Sequence, residues 1–175
     1  AGSNDKAIQV LVNGINDMLG SYGSTIDFTN LVNYRQGDDA AMAGFVKEAE
    51  AGQVDAAIFY NCNPVYDHPM GDKLAAGIKK LKLSISTGYK EEETGTLVNY
   101  QAPDHHFLEA WNDAEPKKNH FSLGQPTITP IFKSRAAQES LMIWAGETNS
   151  DYFEFVKNNW KTWFYKDQTI DFQQF

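Results

Sequence analysis

The spacing of apolar and polar positions along the chain switches between helical and strand periods, and the switches predict the elements. Residues 5–19 place Ile8, Val12, Ile15 and Leu19 at helical spacing, with Leu11 and Met18 widening the stripe and Gly20 and Gly23 closing it. Residues 24–28 alternate as a short strand, and 29–37 read as a loop. Asp38 and Asp39 introduce a helix over 40–51, with Ala41, Phe45, Val46 and Ala49 on one face and Gly52 at its end. An apolar run rich in β-formers, 54–60, then stops at Asn61-Cys62-Asn63-Pro64, and a helical pattern with Leu74, Ile78 and Leu81 inward covers 72–81. This is the signature of a buried parallel strand feeding a βα turn, the end of an open α/β sheet at which ligands usually sit. Residues 82–86 alternate as another strand, and 97–102 form a further strand that stops at Pro103. Between them, Glu91-Glu92-Glu93-Thr94 reads as a solvated first helical turn.

Beyond Pro103 the periods weaken. Residues 104–113 suit one or two helical turns, and 114–130 look irregular, punctuated by Pro116, Gly124, Pro126 and Pro130. Helical spacing returns over 134–144, with Ser134 as a cap, and over 151–165, where Phe153, Val156, Trp160, Trp163 and Phe164 make a wide aromatic face suited to a core or an interface. The tail 166–175 is polar and frays unless something docks on it. The expectation is one α/β domain over 1–175, doubly wound around a mainly parallel sheet of four or five strands with helices on both faces. Residues 5–102 would be its alternating core, 103–133 an irregular stretch and 134–165 the C-terminal helices.

Composition narrows the chemistry. Lys and Arg total 15 against 23 Asp and Glu, a net charge of −8, so no basic patch for nucleic acid or an anionic membrane is apparent. Arginine occurs only at 35 and 135, which leaves little side-chain help for clamping phosphates. A single cysteine, Cys62, cannot build an intrachain disulfide or a four-cysteine iron–sulfur cluster. No apolar run approaches the roughly 20 residues of a membrane span, and the polar start has no signal-peptide pattern.

Two clusters remain as candidates. Asn61-Cys62-Asn63-Pro64 reads as a tight strand-to-helix turn, or as a backbone rim around a ligand with Cys62 as its thiol. If 104–113 is helical, His105 and Glu109 share a face, and with His106 they make a weak metal or small-molecule candidate that needs a further ligand such as His68 or His120. Satisfied structural histidines are the competing reading. A Gly-x-Ser-x-Gly elbow, a Rossmann glycine fingerprint and a P-loop are all missing.

The order and spacing of several stretches add a resemblance. "VDAAIFYNCNPVYDHP" at 54–69, Glu93-Thr94, "APDHHFLEAWNDA" at 102–114 and "SLGQPTITPIF" at 122–132 resemble the molybdopterin oxidoreductase superfamily. Within it, the chain is most similar to the molybdopterin-oxidoreductase-like half of the iron–sulfur subunit of alternative complex III, the TAT-variant-translocated type. The likeness runs from about residue 8 to about residue 146. It implies a middle fragment of a larger periplasmic chain, part of a membrane-associated quinol-oxidising complex. The strand-end loops, with Asn61, Cys62, Asn63, Pro64 and Thr94, would form the family's cofactor crevice. It implies further that this half is a scaffold without a cofactor of its own, with iron–sulfur clusters held elsewhere in the parent chain. Its partners would be the parent's other domains and the respiratory subunits. The alternative implied is a working portion of a molybdopterin enzyme that binds molybdopterin guanine dinucleotide. Tyr60, Asn61 and Cys62 are bulkier than such a nucleotide turn requires, which favours a crevice retained without its cofactor.

Overall fold

The computed structural model describes residues 2–3, 5–34 and 37–165. They group into two compact units, Ala1–Gln36 with Ala114–Ser122 and Gly37–Asp113 with Leu123–Phe175, where the sequence predicts one domain. The predicted tail 166–175 lies outside the described residues.

In the smaller unit, helix α1 (Lys6–Met18) starts where Asp5 Oδ1 accepts the amides of Ala7 and Ile8 at 2.8 and 3.1 Å. It ends ahead of Gly20, which takes the left-handed φ of 62°. The apolar stripe is present, yet Ile8, Leu11, Ile15 and Met18 are all exposed. The strand predicted over 24–28 does not form. A single bridge joins Tyr22 and Ile26, and Asp27 turns the chain by accepting from the Thr29 amide and hydroxyl and from Asn30. Those three donors hold the Asp27 carboxyl at about 2.

The larger unit carries the α/β core. Helix α2 (Asp39–Glu50) is capped by Asp38. Strand β1 (Ala56–Phe59) leads through a one-turn helix α3 (Pro64–Asp67) and helix α4 (Gly71–Ile78) to β2 (Leu83–Ser86). A short 3-10 turn, Gly95–Leu97, precedes β3 (Tyr100–Gln101). The sheet is parallel in the order β1-β2-β3, with Ile58 opposite Ile85 and Ile85 opposite Tyr100. Three strands stand where four or five are predicted, because 24–28 folds as a turn and supplies no strand. On one face of the sheet Phe59 packs with Val46 and Ala49 of α2, Leu74 and Ile78 of α4, and Leu81, and this is the main core. The opposite face, where further helices are expected, leaves Ile58 48%, Leu83 40% and Tyr100 63% exposed.

The α2 and α4 helices meet at a close crossing. A Cβ on Gly77 would lie 2.8 Å from the Ala49 carbonyl carbon and 2.9 Å from its Cβ, whereas one on Gly44 would meet nothing within 4 Å. Gly77→Ala is therefore expected to destabilise by about 1–3 kcal/mol through overpacking. Gly44→Ala, in open space within α2, is expected to stabilise by up to about 1 kcal/mol. Urea unfolding of the two variants checks both signs.

The stretch predicted to be irregular holds a hairpin, β4 (Asn112–Lys117) with β5 (His120–Gly124), turning at Asn119 with φ 63°. Residues 104–113, predicted helical, are turns leading into β4. Helix α5 (Ala137–Trp144) starts after Ser134, which does not cap it, and α6 (Tyr152–Trp163) is capped by Asp151. On α6, Val156 is buried, Phe153 stacks at 4.6 Å on Trp111, and Trp160 Nε1 donates to Asp113 at 3.0 Å. No helix among the described residues is long and apolar enough to cross a membrane.

Candidate functional site

The carboxyl ends of the three parallel strands converge on one polar crevice of about 460 Å3. From β1 come Asn61, Cys62 and Asn63; the β2 loop adds Gly88 and Tyr89; the β3 loop adds His105, His106 and Phe107. Asp67 and Glu92 complete the lining. The place is the one that strand-end reasoning predicts for an open α/β sheet.

Why the loop after β1 takes this shape is legible atom by atom. Asn61 adopts φ 47°, a left-handed conformation that asparagine tolerates. Its amide donates to Thr87 Oγ1 at 3.1 Å and its side chain donates to Asp104 Oδ2 at 3.2 Å. Asn63 sits at the N-cap of α3 but caps nothing there. Instead its Oδ1 accepts the amide and hydroxyl of Thr94 at 3.0 and 2.8 Å, and its Nδ2 donates to Glu93 at 2.7 Å. The Val65 amide donates in turn to Thr94 Oγ1 at 3.1 Å. The bond from Asn63 holds the Glu93 carboxyl below the usual range.

Of the predicted crevice residues, the structure thus brings Asn61, Cys62 and Asn63 together at the lining. Pro64 opens α3 and is not among the residues lining the crevice. Thr94 is 1% exposed and locks two loops together, so it is placed to hold the turn and not to touch a ligand. Gly88, Tyr89, Phe107, Asp67 and Glu92 escaped the sequence reading. The Thr87-Gly88 break after a strand was the available signal for the second loop.

The histidine cluster resolves differently from its prediction. Because 104–113 is not helical, His105 and Glu109 do not pair across a helix face. Glu109 is buried and accepts the His106 amide at 2.9 Å through Oε2 and the Ile131 amide at 3.0 Å through Oε1. Those bonds, the Ile131 one foremost, hold its carboxyl below the usual range. His106 Nδ1 accepts the Leu108 amide, and His68 Nδ1 accepts the Met70 amide. His105 Nε2 is buried without a hydrogen-bond partner among the described residues. His120 lies on β5, in the smaller unit. No three His, Cys, Asp or Glu side chains converge as a metal site among the described residues.

The crevice also fails to fit the nucleotide cofactor of the family it resembles. Among the described residues neither Lys nor Arg lines it, while Asp67 and Glu92 do. Carboxylates beside a pyrophosphate repel it. The same surroundings bear on Cys62. Cys62 is exposed at the surface, yet desolvation by the atoms packed around it first, and then Asp67 and Glu92, push its thiol pKa up. The thiolate is the reactive form, so less of it exists at neutral pH than in an unhindered cysteine. Iodoacetamide is expected to label native Cys62 several-fold more slowly at pH 7 than in the urea-unfolded chain, and Asp67→Asn with Glu92→Gln to narrow that gap. Equal native and unfolded rates would contradict the assigned surroundings.

In comparisons with known proteins, the chain matches no family model and no curated protein.

Proposed function

We propose that the chain is a non-catalytic scaffold and interaction domain, covered in its working state by neighbouring domains of a larger parent chain. Following the resemblance, the parent is the iron–sulfur subunit of a periplasmic, membrane-associated quinol-oxidising complex. In this reading the domain holds no cofactor and the clusters lie elsewhere in the parent. The observation that carries the proposal is the open sheet face with Ile58, Leu83 and Tyr100. Parallel sheets are stable when protein covers both faces, and a contiguous exposed apolar surface marks an interaction site. The crevice supports the non-catalytic part, since its asparagines are spent on holding loops and its one thiol is kept protonated.

The test is side-chain footprinting of the sheet face in the isolated chain and in the assembled parent complex. Strong protection of Leu83 and Tyr100 on assembly is expected. Unchanged labelling would sink the scaffold reading. Molybdenum and pterin recovered from the active parent in proportion to this domain would replace it with the cofactor-binding alternative.

A further inference from the structure

Two side-chain atoms of the larger unit, His105 Nε2 and Gln138 Oε1, are buried without a hydrogen-bond partner among the described residues. They come from different elements, the loop after β3 and the first turn of α5. Yet both residues line the same small cavity, of about 80 Å3, together with Tyr60, Asn61 and Asp104. Gln138 is held from its other end, because its Nε2 donates to the Tyr60 hydroxyl at 2.9 Å. That bond leaves Oε1 as an acceptor. Native interiors seldom leave a buried polar atom unbonded, so the cavity needs an occupant that can hydrogen-bond. An apolar one would leave both atoms orphaned. Charge narrows the choice further. Among the described residues no Lys, Arg or Glu lines the cavity. Its one carboxylate, Asp104, already accepts the amides of His105 and Ala137 and the Asn61 side chain. An anion would face that carboxylate, and a cation would find it spent on internal donors. A small neutral molecule with both donor and acceptor capacity fits.

We infer that the cavity is a binding site for ordered water, which donates to Gln138 Oε1 and bonds His105 Nε2. One buried water needs only roughly 10–15 Å3 and two to four polar partners, so both the room and the partners suffice. The water bridge ties the first turn of α5 to the loop after β3, beside the direct bond from the Ala137 amide to Asp104. Asn61, His105 and Phe107 line both this cavity and the crevice, which places the water directly behind the strand-end site.

The test is water-to-protein cross-relaxation by NMR on the labelled full chain, read at the carbon-bound ring protons of His105. Long-lived buried water gives nuclear Overhauser effects of opposite sign in the laboratory and rotating frames, and that is the expected result. Gln138→Met, which keeps the length of the side chain and removes the acceptor, is expected to weaken those effects several-fold while the Ala137 amide stays protected. Effects of equal sign in the two frames, or none, in the native chain overturn the inference whether or not the variant folds. So do unchanged effects in Gln138→Met, or a shift of the Ala110 methyl under xenon pressure, since xenon enters a dry apolar cavity.

Discussion

Replacing Leu74 with Ala is expected to lower the stability of the larger unit by about 3 kcal/mol, the middle of the range for a leucine truncated in a closed core. Leu74 is fully buried, and the residues around it come from two helices, a strand and the turn after α4. Collapse around the vacated volume is hindered because α2 and α4 already touch at Ala49 and Gly77. Leu74→Met, which conserves volume, is expected to cost less than about 1.5 kcal/mol. The measurement is urea unfolding followed by tryptophan fluorescence. All four tryptophans, at 111, 144, 160 and 163, belong to the larger unit, so the signal isolates it. A loss below about 1 kcal/mol for the Ala variant would mean that this core does not support the unit.

Asp104→Ala is expected to cost nearly as much, about 3 kcal/mol, for a different reason. Its carboxylate lies 2.7 Å from the amides of His105 and Ala137, and Ala137 is 1% exposed. Removing the acceptor orphans a buried donor at the first residue of α5 and removes the negative charge that favours a helix start. The Asn61 side chain loses its partner in the same step. Asp104→Asn keeps Oδ1 as the acceptor for both amides but replaces the Oδ2 that accepts from Asn61, so it loses the charge and that side-chain bond, and a cost of about 1–2 kcal/mol is expected. Amide exchange at Ala137 separates the cases: fast in the Ala variant, close to native in the Asn variant. Similar costs for the two substitutions would show that the charge and the Asn61 bond, and not the orphaned amide, dominate.

The parts of this fold that the sequence makes legible are those in which local chemistry and tertiary packing agree. Helices α1, α2 and α6 start at Asp5, Asp38 and Asp151 because aspartate accepts the free amides of a first turn, and that preference is visible in sequence. Strand β1 announces itself through an apolar run ended by turn residues, and β2 through alternation ended by Thr87-Gly88. The hairpin does not, since nearly all its positions are exposed and no inward face writes a period of two; Pro116 argues further against a strand. Residues 104–109 mislead in the opposite way. Their spacing suits a helix, but Asp104, His106 and Glu109 bond nearby amides and hold the backbone in turns. At the crevice, Asn61 to Asn63 are found by strand-end logic. Thr94, drawn in by resemblance alone, proves to be a buried lock.

The acceptor that starts α5 comes from a residue far earlier in the chain, and this dictates an order of assembly. Eight residues make a helix too short to persist alone in water. Until Asp104 is set in place by the hydrogen bond its amide donates to the Thr87 carbonyl and by Asn61, Ala137 has no carboxylate to begin on. The sheet end is therefore expected to close before α5, and substitutions within α5 to change the rate of unfolding more than the rate of folding, which stopped-flow urea kinetics would read.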